Sequence, residues 1–445
     1  MNKITESLKK LNWPLFASLL VLGLVPTIYT TARTFFLGQL PGDYAYSIAG
    51  QLSWVSLIYE IIDEMIILPL FFLLGSPKND KEKFSNRVKT GLIISAVVYG
   101  VLALIILLFA EPFLSAMATD TSIIAESATY IRIEAIANIF GILYRFLLVA
   151  IVAFGKEKYV YALTGLRLVL CIIFDTLFIS SFSFSLNLGV NGIGYSNIIV
   201  NAILSILAWL ILVKNGVICK SEKLSFSWFT DFAKIGGISG LESLVRNVAY
   251  ILMVSRMVNL VGEQGTYWVA NNFIWGWMLL PVLQLGELIK QETSSRKENM
   301  TEHYPGYMYT TGIIVILWII TIPLYKPFMS NILGFEDVDK LFMIVMMLFI
   351  PYIAYAFQNV FDSIFYGRGR TDYMLFESVV TNSIYYGGMF IAYLSGLWTP
   401  TLTGIILMFG IGNIFDAIVS ALAFKYYVKN GDSTFLFRQV FGKGE

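Results

Sequence analysis

Apolar residues recur along the chain in long runs, and most charged residues lie in the short stretches between them. A helix that crosses a bilayer needs about 20 consecutive, mostly apolar residues, and each run reaches that length. The pattern predicts an all-α polytopic membrane protein with twelve transmembrane helices. The predicted spans are residues 12–37, 45–75, 90–112, 123–154, 159–182, 189–213, 229–260, 266–290, 308–330, 340–366, 373–396 and 400–427.

Composition agrees with a chain whose solvent is lipid. Of the 445 residues, 57% are hydrophobic and 14% are charged, against about 25% charged residues in soluble proteins. Mean hydropathy is +0.71. These values exclude a cytosolic enzyme, a disordered chain and a nucleic-acid-binding protein. The net charge of +1 indicates no overall preference for acidic or basic partners.

Residues that carry catalytic or metal chemistry are few. Cys171 and Cys219 give neither a disulfide framework nor a metal-ligand spacing, and His303 falls in a loop where we expect it to be solvated. The sequence has no Walker P-loop and no HExxH, GxSxG or CxxC motif. We therefore expect a protein that is not an enzyme and that has no cofactor and no metal site.

The basic residues predict the topology. Twenty-three of the 31 lysines and arginines fall in regions on the side of the N-terminus, whereas the opposite loops hold only Lys326 and Lys340. Cytoplasmic loops of membrane proteins carry the excess of Lys and Arg. Both termini are therefore predicted to be cytoplasmic, in a multi-pass protein of the plasma membrane.

The two halves of the chain resemble each other at four collinear anchors. The matched positions are Ala49 and Trp54 with Ala270 and Trp275, Pro112–Ser115 with Pro327–Ser330, Phe154–Lys158 with Tyr366–Arg370, and Val213–Gly216 with Val428–Gly431. Because each half holds an even number of spans, both halves begin on the same side of the membrane. This predicts two six-helix bundles related by a pseudo-twofold axis along the membrane normal. The predicted domains are an N-lobe of residues 1–213, a cytoplasmic linker of residues 214–228 and a C-lobe of residues 229–445.

Sixteen ionisable residues fall inside the predicted spans. They are Arg33, Arg132, Arg145, Arg167, Arg246, Arg256, Glu60, Asp63, Glu64, Glu134, Asp175, Glu242, Glu287, Asp362, Glu377 and Asp416. Each charge costs about 2.5–3.5 kcal/mol at the centre of a transmembrane helix, so these side chains must face protein or water. Shared helix faces, such as Asn413, Asp416 and Ser420, support a polar interior.

These charges have two interpretations. In one they are structural pairs, with Arg33 bound to Asp175 or Asp63, and Glu242 bound to Arg246. A scaffold that transports nothing would pair all of its charges in this way. In the other interpretation the charges form transport sites, because a protein that needed only stability would use apolar packing.

Several short segments resemble the multidrug and toxic compound extrusion (MATE) family, within the superfamily that also includes flippases for lipid-linked oligosaccharides. They are Arg33-Thr34-Phe35-Phe36-Leu37-Gly38, Gly155-Lys156, Gly367-Arg368, Asp175 and Leu188–Gly194. The resemblance implies secondary active export by alternating access, driven by H⁺ or Na⁺, with a central cavity between the lobes. It also implies that Asp175 takes part in cation coupling.

One departure from the family pattern concerns the coupling site. Arg33 stands where many members carry an aspartate, and Cys171 stands where an asparagine is frequent. Glu60 or Asp63 is then a substitute for the missing carboxylate. An arginine in this part of the first span, with Glu60 nine residues before Pro69, also resembles the lipid II flippase branch, in which arginines hold a pyrophosphate.

The first function hypothesis is therefore an ion-coupled antiporter that exports organic solutes or drugs. The alternative is a flippase for an anionic lipid-linked or phosphorylated substrate, because guanidinium groups pair bidentately with carboxylate and phosphate. The predicted ion-coupling residues are Asp175, Glu60 and Asp63. The predicted substrate-binding residues are Arg33, Arg145, Glu242, Arg246, Asn272 and Trp275. The expected partners are this substrate and the lipid bilayer, without nucleic acid, for a monomeric protein.

Overall fold

The computed structural model describes residues 3–40, 44–75, 80–218, 224–295 and 298–430, and within them it contains helices and no β-strand. The first helices are α1 Lys3–Lys9, α2 Trp13–Gly38, α3 Ala45–Gly50, α4 Leu52–Gly75, α5 Lys81–Ala116, α6 Ile124–Ala153, α7 Lys158–Phe178 and α8 Asn191–Lys214. They are followed by α9 Phe229–Tyr250, α10 Arg256–Leu260, α11 Gln264–Phe273, α12 Leu280–Ser295, α13 Glu298–Asn331, α14 Val338–Gly367, α15 Thr371–Val380, α16 Gly387–Leu394 and α17 Leu402–Asn430. Every predicted span is helical where it is described, so the all-α prediction is confirmed.

Several spans are interrupted helices. The second span breaks at Gln51, between α3 and α4, and π-helical turns at Ile251–Ser255, Ile274–Met278 and Thr381–Tyr386 interrupt the seventh, eighth and eleventh spans. In the eighth span the axis bends by 52°. Among the described residues, eight helices are long and apolar enough to cross a membrane, or nine if the bent pair counts as one span. The second, seventh and eleventh spans do not meet this criterion, and each of them is divided into shorter helices by an interruption.

The kink in α5 has a local cause. Phe109 leaves helical geometry, with φ −117° and ψ 15°, three residues before Pro112. Proline has no N–H to donate, and its ring displaces the carbonyl one turn earlier, so the backbone bends there. At its other end α5 is capped by Asp80, the residue before its first turn, whose side chain accepts a hydrogen bond of 3.1 Å from the backbone N–H of Lys83. This bond holds the pKa of the Asp80 carboxyl below its ordinary value.

The described residues divide into two compact units. The N-unit is Ile28–Asn247, and the C-unit is Met1–Thr27 together with Val248–Glu445. In the N-unit α6 packs against α4, α5 and α8, and in the C-unit α14 packs against α11, α12, α13 and α17. The lobe boundaries at residues 213 and 229 stay a prediction.

Small residues allow close helix packing in the N-unit. A Cβ on Gly194 of α8 would lie 2.6 Å from Cγ2 of Ile133 on α6, so only glycine fits this contact. In the membrane such small residues let helices approach closely where no water is available to drive association. The residues that bear on function therefore sit on helices held at close, fixed spacing.

The predicted position of His303 is wrong. The histidine lies in the first turns of α13, which begins ten residues before the apolar run at residue 308, and its side chain is 15% exposed. Its Nδ1 lies 2.8 Å from Oε2 of Glu292, to which the Tyr307 hydroxyl donates at 2.6 Å. The other Glu292 oxygen accepts the backbone N–H of Asn12 at 2.9 Å. The polar start of α13 carries no hydropathy signal, so the sequence pattern assigned this part of the helix to a loop.

Adjacent glycines on α9 allow a test of the packing within the N-unit. A Cβ on Gly236 would lie 2.2 Å from the backbone oxygen of Met65 on α4, whereas a Cβ on Gly237 would meet nothing within 4 Å. We expect Gly236→Ala to lower the free energy of unfolding by about 1–3 kcal/mol, the usual cost of overpacking. The matched control, Gly237→Ala, is expected to leave it unchanged or to raise it by up to about 1 kcal/mol. Equal unfolding temperatures of the two purified variants would contradict this packing.

Candidate functional site

A buried ion pair joins α2 to α7. Arg33 Nε donates to Oδ2 of Asp175 at 2.7 Å, and Arg33 Nη2 donates to Oδ1 at 3.2 Å. The relative exposure of Arg33 is 9% and that of Asp175 is 0%. Two parallel N–H···O bonds are the strongest geometry that a guanidinium and a carboxylate can form. One of the two structural pairings considered for Arg33 from the sequence is therefore present.

The pair continues through an amide to a second acid. Arg33 Nη2 also donates to Oδ1 of Asn197 on α8, at 2.8 Å, and Asn197 Nδ2 donates to Oε1 of Glu134 on α6, at 2.7 Å. Glu134 is 3% exposed. We call this chain of four residues the Arg33–Asp175 network. It connects four helices of the N-unit by charged and amide groups only.

A second group of charges lies between α4, α5 and α6. Arg145 Nη2 donates to Oδ1 of Asp63 at 3.0 Å, and the Tyr99 hydroxyl donates to the same oxygen. Arg145 Nη2 also lies 3.3 Å from the Tyr99 oxygen. Both charged side chains are about one third exposed, so this cluster faces an open space rather than packed protein.

A third group lies between α4 and α9. Arg246 Nη2 donates to Oε1 of Glu64 at 2.6 Å and to Oε1 of Glu60 at 3.2 Å. Glu60 and Glu64 are one helical turn apart on α4, so both reach the same guanidinium. The side chain of Glu242, a predicted partner of Arg246, lies outside the described residues. Its predicted pairing and its predicted role in substrate binding stay predictions.

The exposure of these two clusters indicates what they face. Charges within membrane spans are not stable against hydrocarbon, so partly exposed ones line water-filled space. The N-unit thus brings together four of the predicted site residues in two accessible clusters, and buries two more as an ion pair. These residues are Glu60, Asp63, Arg145 and Arg246 with Glu64 beside them, and the buried pair is Arg33 with Asp175.

The other two predicted residues belong to the C-unit. Asn272 is half-buried on α11, and Trp275 lies in the π-helical turn that follows it. The Trp275 ring is 40% exposed and meets the edges of Tyr352 and Tyr355, with centroid distances of 6.2 Å and 5.7 Å. This arrangement offers an aromatic surface with an amide nearby.

The C-unit also contains a carboxyl group cluster that was not among the predicted site residues. Gln358 Nε2 donates to Oδ2 of Asp416 at 2.7 Å and to Oδ2 of Asp362 at 3.2 Å. Ser420 and Thr381 donate to the other oxygens of these acids, at 2.7 Å and 2.6 Å. We call Asp362, Glu377 and Asp416 the carboxyl trio.

The third member of the trio is the unusual one. Glu377 is 2% exposed, and its carboxyl group lies against that of Asp362, with no N–H group donating to it among the described residues. In the part of the chain that the structure describes, no lysine or arginine contacts any of the three acids. The sequence signal was the presence of three acids in the tenth, eleventh and twelfth spans, but periodicity alone does not bring different helices together.

Comparison with known proteins shows which fold this is. The MatE family model matches residues 76–177. Over 90% of this chain and 98% of the other, the structure is similar to an inward-facing MATE-family multidrug resistance transporter of the MOP superfamily, with 18% identity and a TM-score of 0.67. The chain has the MATE fold. This confirms the resemblance seen in the sequence and the predicted twelve helices in two six-helix bundles of a multi-pass membrane protein.

Two further structures with the MATE fold are similar to the chain. One is an outward-facing MATE-family multidrug resistance transporter, with 17% identity, 93% of this chain and 94% of that chain covered, and a TM-score of 0.63. The other is a MOP-superfamily transporter from Pyrococcus furiosus whose binding pocket has reversed polarity, with 17% identity, 96% and 98% coverage, and a TM-score of 0.66. No curated protein matches the chain in sequence. These relatives do not favour the flippase alternative.

The Arg33–Asp175 pair generates a stability prediction. Arg33→Gln and Asp175→Asn each leave a buried charge without its partner, so each is expected to lower the free energy of unfolding by about 3–5 kcal/mol. The double variant removes both members of the ion pair, so neither is left without its partner, and it is expected to recover most of that loss. Thermal unfolding of the purified proteins measures both effects.

A matched control is the ion pair of Arg132 with Glu111, at 3.2 Å, in which the Glu111 side chain is 54% exposed. Arg132→Gln is expected to change stability by about 0–1 kcal/mol, as is usual for exposed pairs. An unfolding temperature that is the same in Arg33→Gln and in the wild type would contradict a stabilising role of the Arg33–Asp175 pair.

Proposed function

We propose that the chain is a secondary active transporter that exports organic solutes or drugs from the cytoplasm by alternating access. The observation that carries this proposal is the MATE fold over at least 90% of the chain. Relatives with this fold adopt inward-facing and outward-facing conformations, which are the two end states that alternating access needs. We place the protein in the plasma membrane, as a monomer with both termini cytoplasmic and with no catalytic activity or cofactor.

An ion gradient is the proposed source of energy. The sequence has no nucleotide-binding P-loop, so direct drive by ATP has no site on this chain. H⁺ and Na⁺ are the two candidate ions, and both bind to carboxylates within the membrane. The proposal therefore needs a carboxylate that can exchange its cation during the transport cycle.

Asp175, Glu60 and Asp63 are proposed as coupling carboxylates. Each contacts an arginine, with N···O distances of 2.7 Å, 3.2 Å and 3.0 Å. A guanidinium does not lose its proton in proteins, so it competes with an incoming ion. Coupling at any of these three acids therefore requires that its ion pair opens in another conformation.

The carboxyl trio is a second proposed position for the coupling ion. It contains Glu377, whose buried carboxyl group lies against that of Asp362, and no arginine competes for it within the described residues. Carboxyl groups this close do not all carry charge, so the trio holds at least one proton. The three acids lie on α14, α15 and α17, so their spacing depends on how these helices pack.

The proposed substrate contacts divide by chemistry between the two units. In the N-unit, Arg33, Arg145, Arg246 and Glu242 offer charge. In the C-unit, Trp275 and Asn272 offer an aromatic surface and an amide. The N-unit side chains match an ionised group, and the C-unit side chains match an apolar ring system.

Transport is tested in proteoliposomes that carry either an outward-directed or an inward-directed gradient of H⁺ or of Na⁺. We expect uptake of at least one member of a panel of cationic, zwitterionic and anionic fluorescent solutes, driven by one of the two ions and abolished by the matching ionophore. Uptake that is the same with and without every gradient would contradict secondary active transport.

Two variants assign the coupling position. Glu377→Gln removes the carboxylate charge and keeps the size of the side chain. The double variant Arg33→Gln/Asp175→Asn removes the Asp175 carboxylate together with the guanidinium that neutralises it. Each is expected to reduce gradient-driven uptake at least tenfold, because each removes a proposed cation ligand. Arg132→Gln is the control with full uptake. Full gradient-driven uptake in either variant would remove that position from the coupling mechanism.

A further inference from the structure

Among the described residues of the N-unit, one membrane arginine has no carboxylate partner. Four of its five membrane arginines contact a carboxylate, with shortest N···O distances of 2.7 Å for Arg33, 3.2 Å for Arg132, 3.0 Å for Arg145 and 2.6 Å for Arg246. The fifth is Arg167 on α7. Within the described ranges no carboxylate oxygen lies within ion-pair distance of its guanidinium.

Aromatic rings surround this arginine instead. The guanidinium carbon lies 5.8 Å from the ring centroid of Tyr29 and 5.7 Å from that of Tyr144. Its Nε is buried and has no hydrogen-bond acceptor. The side chain as a whole is half-buried, so part of the group remains accessible.

Arg167 is also deep in the membrane span. It lies nine residues after the start of α7, or about 14 Å along the axis at 1.5 Å per residue. That distance is near the middle of a hydrocarbon core about 30 Å thick. Asp175 lies eight residues further along α7, about 12 Å away, and it is already bound to Arg33. The nearest acid on the same helix therefore does not neutralise Arg167.

Within the described residues no carboxylate occupies the N–H edge of the guanidinium, whose neighbours are the two tyrosine rings and the Cys171 thiol, which hydrogen-bonds to it one helical turn further along α7. Aromatic rings interact with the flat faces of a guanidinium, whereas carboxylate and phosphate groups bind in its plane through paired N–H donors. The two rings and the thiol, which is a weak hydrogen-bond partner, do not neutralise the charge that attracts an anion. A cation at this depth that served only stability would have a carboxylate partner, as the other four membrane arginines of this unit have.

We propose that Arg167, held by Tyr29 and Tyr144, binds the anionic group, a carboxylate or a phosphate, of the transported solute. The proposal rests on the proposed transport function and adds the substrate class to it. Arg145, one of the predicted substrate-binding residues, is committed to Asp63 and Tyr99. Arg167 therefore selects for a negatively charged solute, whereas the arginines that are paired with carboxylates do not bind its anionic group.

A binding experiment without any ion gradient tests the proposal independently of transport. Purified full-length protein in neutral phosphatidylcholine nanodiscs is titrated with 1-naphthyl phosphate, 1-naphthaleneacetate, the uncharged 1-naphthaleneacetamide and a 1-naphthylmethyl trimethylammonium salt. We expect the wild type to bind at least one of the two anions at least tenfold more tightly than the amide. Arg167→Gln is expected to lose this preference, and Arg167→Lys to keep part of it, because lysine retains the charge but not the planar fork.

The unfolding temperature of Arg167→Gln is a second readout. A purely structural role of Arg167 predicts that this variant unfolds at a lower temperature than the wild type, whereas the proposal does not. Because Arg167 has no carboxylate partner, Arg167→Gln without ligand is expected to unfold at the same temperature as the wild type or at a higher one. Arg33→Gln, which breaks a buried pair, is expected to unfold at a lower temperature. A lower unfolding temperature for Arg167→Gln, with anion preference intact, would assign Arg167 to the structure and overturn the proposal.

Two further outcomes would overturn it. One is that the wild type binds the amide or the ammonium compound as tightly as both anions. The other concerns nanodiscs that contain phosphatidic acid. If this lipid raises the unfolding temperature of the wild type but not of Arg167→Gln, and neither soluble anion raises it, then the ligand is a lipid headgroup and not a solute. If anion binding depends on Arg167 but no gradient drives uptake, this inference stands and the transport proposal fails.

Discussion

Electrostatics in a medium without water constrains this structure more than any other factor. A charge placed in hydrocarbon is expensive, and it is stable only beside an opposite charge, a hydrogen-bonding group or a water-filled space. The N-unit meets this constraint in two ways. Arg33 and Asp175 neutralise each other where the protein is fully packed. Arg145 and Arg246 instead pair with separate carboxylates at partly exposed positions. Helix packing around α6 follows from the need to bring these partners together.

Much of the fold could be predicted from hydropathy, because the number and approximate limits of twelve apolar runs depend only on local sequence. Features without a hydropathy signal could not. Helix α5 begins at Lys81, nine residues before the predicted span, because its first turns are polar. The break at Gln51 and the π-helical turns depend on which backbone hydrogen bonds form, and that choice is made by tertiary packing.

The candidate site could be predicted in its residue types but less well in its pairings. Helical spacing identifies neighbours on one helix, so it suggested Glu242 for Arg246. The described partners, Glu60 and Glu64, come from another helix, and sequence spacing carries no information on such contacts. Arg33 with Asp175 was foreseen as one of two pairings because charge complementarity limits the choices. The carboxyl trio was not foreseen, since its members come from three separate spans of the C-unit.

The Arg33–Asp175 pair also has an electrical consequence. Moving one elementary charge through a membrane potential involves about 2.3 kcal/mol per 100 mV. Two opposite charges bound 2.7 Å apart move together as a neutral unit, so the voltage does almost no work on them. As long as this pair stays closed, the part of the N-unit that contains it changes conformation without sensing the membrane potential. Any voltage dependence of the transport rate must then come from the carried ion and solute or from charges that separate elsewhere in the protein.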